Sequence, residues 1–255
     1  MPNVNLYIDC TNGISGDMLC RSLTELSDDA SFVQSQQDII REALHQAEHT
    51  HAHHHTHVED HGRTEDNGHN HDGGHGQPHG YTHRSYRELQ QILEGSSLDS
   101  GVKEVAQKIY AGLAVAEAQV HGETLDTVHF HEVGRPQAIV NMVGVAAGFT
   151  AIGPEQVYCS EVLDGIGTVL CAHGEIPVPV PAVRALMDAS DLQYGTTGLN
   201  MEMVTPTGLA ALLALDPTYL ENPPAHSCVV KTVTASGDRS ILPEPAKAGL
   251  TVCTF

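Results

Sequence analysis

Residues 45–83 constrain this chain more than any other stretch. They read HQAEHTHAHHHTHVEDHGRTEDNGHNHDGGHGQPHGYTH and hold thirteen of the 18 histidines, with Val58 and Tyr81 as the only larger apolar side chains. A segment of this composition buries too little apolar surface to offset its ordering entropy, so residues 49–83 are expected to form a disordered, solvated insert. The core must therefore be assembled from the sequence on either side. Neutral imidazole suits Zn, Cu and Ni, and histidine-rich tracts point to metal binding, here through His51, His53, His54, His55 and His57. The alternative is a tag or spacer. Tags sit at termini as unbroken runs, whereas this tract is internal and mixed with Asp, Glu and Gly.

The formal charge of −20, from 32 acidic and 12 basic residues, disfavours nucleic acid and anionic membranes as partners and attracts divalent cations. No apolar run is long enough to span a bilayer. MPNVNLYIDC lacks the basic and apolar regions of a secretory signal, so a cytoplasmic location is expected. The six cysteines form no CxxC pair, and in a reducing compartment most are small buried side chains. Cys10 and Cys171 are set apart because they adjoin candidate site residues.

The flanking sequence alternates between short strands and helices. Val4 to Asp9 reads as a strand, followed by a turn with Gly13 and Gly16 and a helix bearing Met18, Leu19, Leu23 and Leu26. Ser15 or Asp17 caps that helix, whose free N–H groups suit a phosphate or carboxylate. The turn matches no nucleotide-binding fingerprint, and a plain strand-to-helix connection stays open, as does a cation held between Asp9 and Asp17. Residues 34–47 look helical. Ser85 with Glu88 forms a capping box for the next helix, and Asp99 or Ser100 starts a long one carrying Val102, Val105, Ile109, Leu113 and Ala116 on one face.

In HFHEVG, His129 and His131 flank Phe130. On an extended strand both imidazoles point the same way, and with Glu132 they make three sides of a metal site. An apolar helix is expected from Gly134. Residues 155–162 read as a strand, Leu163 to Gly167 as a turn, and Thr168 to Ala172 as another strand. His173-Gly174 then leads into a stiff segment spaced by Pro177, Pro179 and Pro181, either a pocket wall or a connector. Thr205-Pro206-Thr207-Gly208 opens an apolar helix whose first turn, with Thr205 and Thr207, again suits an anion. A strand and turn follow Cys228, and residues 239–255 are expected to be an irregular tail. The fold class is α/β, short strands with several packed helices and the disordered insert. Its parts are 1–48, 49–83, 84–238 and 239–255.

Taken jointly, YIDCTNGISGDML, HFHEVG, GTVLCAHGEIPVPVPAV and MVTPTG, with a His-rich insert after the first helices, resemble the LarC nickel-insertion proteins. The resemblance implies a CTP-dependent nickel chelatase of the lyase class. Such proteins insert Ni(II) into a pyridinium-3,5-bisthiocarboxylate mononucleotide, completing the nickel-pincer cofactor used by lactate racemase, the downstream recipient. It further implies that CTP, with Mg or Mn, binds in a C-terminal domain outside this chain, which is then the nickel-binding N-terminal portion. Gln137 and Asn141 stand where family members commonly carry acidic residues.

The metal candidates are thus His129, His131, Glu132, His173 and Asp9 with the tract histidines, and the substrate candidates are Ser15, Asp17, Thr205 and Thr207. A homo-oligomer is expected. Two other functions stay open at this point. One is a nickel metallochaperone or storage protein without catalysis, the other a metal-dependent hydrolase using His129, His131 and Glu132 around an activated water.

Overall fold

The computed structural model describes residues 4–54, 84–171, 174–223, 229–236 and 249–254, with backbone only at 50–54 and 249–254. Among these the fold is α/β, seven helices against short strands. The main sheet has five strands in the order β10(Lys231–Ser236), β11(Gly249–Thr254), β1(Asn5–Asp9), β4(Gln156–Cys159), β9(Thr218–Tyr219). β1 runs parallel to β4 and antiparallel to β11. Leu6, Tyr7 and Ile8 are all buried, so β1 is a central strand with an unbroken apolar run rather than an alternating one.

Helix α1(Gly16–Leu26) follows β1 directly and packs on α5(Pro136–Ile152). The reason is steric. A Cβ at Gly144 would meet Cys20 Sγ at 2.4 Å, and one at Gly148 would meet Leu23 Cβ at 2.8 Å and its backbone carbon at 2.9 Å. The two glycines thus form the notch in which α1 lies. Helix α2(Ala30–His54) and the long α4(Ser100–His121) complete the layer around α5. As expected, Ser85 caps α3(Tyr86–Gly95) through a capping box, its Oγ accepting from Glu88 N while Glu88 accepts from Ser85 N at 2.8 Å. Asp99 caps α4, and Gly122 ends it in the left-handed region.

Several expectations need correction. The helix read at 34–47 runs from Ala30 to His54, so His51, His53 and His54 belong to helical backbone. His55, His57 and His173 lie outside the described residues, as does the rest of the insert. The helix expected from Gly134 starts at Pro136, whose fixed φ suits a first helical position. The segment read as a turn, 163–167, belongs largely to β5(Val162–Ile166), which pairs in parallel with β8(Tyr194–Asn200). Gly165 there reflects crowding rather than a turn, since its Cβ would lie 1.9 Å from Met201 O. Residues 249–254, expected within an irregular tail, are β11 and hydrogen-bond along the whole inner edge of β1. Edge groups on β1 require a partner strand, and local sequence says nothing of which segment supplies it.

A short junction connects the β5–β8 pair to the helical layer. Asp164 on β5 is fully buried, and its Oδ1 accepts from the backbone N–H of Gly165 (2.7 Å), Met203 (2.9 Å) and Val204 (3.0 Å). Held this way, Met203 O accepts from Ile14 N at 2.9 Å, and Thr205 N donates to Ile14 O at 3.0 Å. Helix α7(Pro206–Ala214) begins at that point, beside the start of α1.

Replacing Gly148 by Val is expected to cost about 1–3 kcal/mol, read as a lower urea midpoint, because Leu23 backbone cannot yield. A midpoint at or above the native one would show that α1 and α5 are not in such close contact. Burial raises the Asp164 carboxyl above its ordinary 3.8, against the three N–H donors that lower it. The folded state therefore holds this proton more tightly than the unfolded one. The resulting stabilisation is full below the unfolded value and lost as pH rises through the folded value. Asp164→Asn keeps an acceptor and removes the titration, so its stability relative to native should improve as pH rises above the ordinary value of about 3.8. A pH-independent difference would contradict this.

Candidate functional site

Where the C-terminal end of α4 meets the residues after β3(His129–Phe130), a cleft of about 490 Å³ opens. Its other walls are the hairpin of β6(Thr168–Cys171) and β7(Gly174–Pro177), the start of α6(Pro181–Asp188) and the start of α7. Glu117, His121, His131, Glu132, Cys171 and Glu202 bring imidazole, carboxylate and thiol groups to it. Val120, Val169, Ile176 and Val180 make much of the remaining lining apolar. Low local polarity strengthens every charge interaction inside such a cleft.

Phe130 explains how HFHEVG reaches the cleft. It is fully buried against the rings of Tyr86 (6.1 Å between centroids) and Tyr110 (5.6 Å). Tyr110 in turn donates to Val133 O at 3.3 Å, and buried Arg84 donates to Gly134 O, also at 3.3 Å. A Cβ at Gly134 would strike Phe130, so the turn after the strand needs that glycine. The strand ends at Phe130 and the chain bends, which leaves His129 exposed and outside the cleft while His131 lines it half-buried. Period-two reasoning placed both rings on one face, but two strand residues are too few to carry that alternation forward.

The other candidates separate in the same way. Thr205 and Thr207 line the cleft at the start of α7. Thr205 Oγ1 accepts from Gly208 N at 3.1 Å and lies 3.2 Å from Thr207 Oγ1. The start of α1 stands behind them, with Gly16 leaving room for Thr207 Oγ1 and Gly208 for the backbone of Ile14 and Ser15. Ser15 and Asp17 face each other rather than the cleft. Ser15 Oγ donates to Asp17 Oδ1 at 2.5 Å, and Asp17 is paired with Arg21 at 2.7 Å. Asp9 accepts from Thr11 N (3.0 Å) and Thr11 Oγ1 (2.6 Å), closing the β1 turn.

Cys171 is half-buried in the cleft wall, whereas Cys10 is enclosed in the core, where burial pushes its thiol well above the ordinary range. The same cause raises Cys20 to about 11 and Cys159 to about 12, so all three stay protonated core side chains at neutral pH. Sequence reading passed over Glu117, His121 and Glu202. The four-residue spacing of Glu117 and His121 on a long helix was the available signal, since it puts both on one face. Among the described residues, no three His, Cys, Asp or Glu side chains stand close enough to enclose a metal ion by themselves. No described helix is long and apolar enough to cross a membrane.

Comparison with known proteins agrees with the motif pattern. The chain is 40% identical over 215 residues to a putative nickel insertion protein of Roseiflexus castenholzii, covering 84% of this chain and 51% of that protein. It is 34% identical over 219 residues to the pyridinium-3,5-bisthiocarboxylic acid mononucleotide nickel insertion protein of Acetivibrio thermocellus, covering 86% and 53%. A putative nickel insertion protein of Synechococcus elongatus is 33% identical over 235 residues, covering 92% and 56%. The chain thus spans about half the length of the curated relatives it matches. No solved structure matches it. The family model described as "Nickel insertion protein" matches residues 6–250, nearly the whole chain, and with these relatives it shows that the chain belongs to the nickel insertion protein family.

Proposed function

We propose that this chain is the nickel-handling, N-terminal part of a CTP-dependent nickel chelatase, a lyase. Its reaction inserts Ni(II) into pyridinium-3,5-bisthiocarboxylic acid mononucleotide and so completes the nickel-pincer cofactor of lactate racemase. The observation that carries this reading is one cleft that combines nitrogen, oxygen and sulfur donors with the N-terminus of α7, in a chain of this family. A relative at 34% identity bears that substrate in its name. CTP, with Mg or Mn, is assigned to the remaining length of the protein.

In this reading His131 and Glu132 are donors to the incoming ion. Thr205 and Thr207, at a helix start with backbone N–H groups, hold the phosphate or carboxylate of the mononucleotide. The histidine tract gathers nickel from solution. The two sulfurs of the substrate are softer donors than imidazole or carboxylate, and ligand preference draws the ion from protein to substrate. His129, exposed, and Asp9, engaged in its own turn, are placed less favourably for contact with the ion in the cleft.

The test is incubation of the thiocarboxylate precursor with Ni(II) and CTP, using this chain alone and this chain joined to the remaining length of its relatives. Nickel-containing product, followed by mass and absorbance, is expected with the complete protein. Its absence there sinks the proposal, and several weakly held nickel ions without CTP-dependent product would favour the metallochaperone. Deleting residues 49–83 should lower the nickel bound per chain while leaving the circular dichroism melt in place. Nickel binding should also weaken below about pH 6, as imidazoles with pKa near 6.5 take up protons that compete with the metal. Nickel binding unaffected by the deletion would reduce the tract to a spacer.

A further inference from the structure

The end of α4 carries Glu117 and His121 on the face turned to the cleft, and neither belongs to the four motifs quoted above. Their side chains are only 14% and 27% exposed. His121 Nε2 stands 3.4 Å from Glu117 Oε2, and the His121 ring lies 5.5 Å from that of His131, centroid to centroid, at an interplanar angle of 52°. Two imidazoles that approach at this distance without stacking in parallel present the separation of two rings sharing one ion. A carboxylate beside one ring nitrogen, which leaves the other, here His121 Nδ1, for an ion, is the usual means of fixing a ligand's tautomer and orientation.

We propose that His121 and His131 form a two-imidazole seat for the nickel ion in this cleft, with Glu117 as the positioning residue for His121. The inference rests on the nickel reading given above and adds the site where the ion waits. The two imidazoles, with Glu132 beside them in the cleft, leave part of the coordination sphere open. An open coordination sphere differs from what storage requires. A storage site saturates its ion, whereas a transfer site must leave positions for the two sulfurs and ring carbon of the acceptor. Imidazole is also a borderline donor that thiocarboxylate sulfur can displace. The apolar side chains around the cleft reduce competition from water.

The test uses the full chain, with the histidine tract present in every variant so that differences report the cleft. Crystals soaked in Ni(II) should show an anomalous peak bonded to both His121 and His131. In solution, Ni(II) titration against a competing chelator should show one ion per chain fewer in His121→Gln. It should show one class of site weakened about 10- to 100-fold in Glu117→Gln, the usual effect of removing a carboxylate behind a ligand histidine. His131→Gln serves as the second ligand variant if His121→Gln melts early. Nickel peaks confined to other parts of the chain, or titrations unchanged in these variants, overturn the seat. Failure of the functional reading looks different: the seat would bind nickel as described while the complete protein made no nickel-containing product.

Discussion

The junction at Asp164 is the interaction on which the arrangement of this fold depends. One buried carboxylate oxygen satisfies three backbone donors, two of them on the segment that precedes α7. Without that acceptor Met203 and Val204 would bury unpaired N–H groups, each costing about 1–3 kcal/mol. With it, the segment lies beside Ile14, the starts of α1 and α7 are brought together, and Glu202, Thr205 and Thr207 reach the cleft. The carboxylate is thus a structural group whose effect is felt at the chemical site. Glycines at 13, 16 and 208 complete the junction, because a Cβ at any of them would meet the opposing segment at 3.0 Å or less.

The cleft has a mixed character. Its donors include nitrogen, oxygen and sulfur, so no single ligand type dominates, and apolar residues line the space between them. Leu170, 81% exposed at the tip of the β6–β7 hairpin, extends that apolar lining to the rim. The side chains after β3 that line the cleft are held by a framework of buried aromatic rings, Phe130 against Tyr86 and Tyr110.

Much of the helical layer was legible in the sequence. Capping residues Ser15, Ser85 and Asp99 sit where their side chains accept from helix N–H groups, and the apolar periodicity of α1 and α4 matches the buried faces. The sheet was less legible. β11 joins β1 across nearly the whole chain, and pairing at such a distance leaves no local signature. β5 was obscured by Gly165 and Gly167, which resemble a turn in sequence but answer to close backbone and side-chain neighbours in space. Of the residues that line the cleft, Thr205, Thr207, His131 and Glu132 were singled out from local motifs, while Glu117, His121 and Glu202 come from elements whose proximity to HFHEVG only the fold creates.

By itself the sequence determined that the core is an α/β arrangement of short strands and capped helices. Those properties follow from composition, periodicity and caps, which act over a few residues. Tertiary structure alone decided that His129 and His131 part company, that Cys10 is sealed in the core while Cys171 lines the cleft, and that His121 stands beside His131. The reason is that burial and close approach are set by packing between distant segments. A side chain's direction at the end of a two-residue strand depends on what Phe130 is buried against, not on its neighbours in sequence.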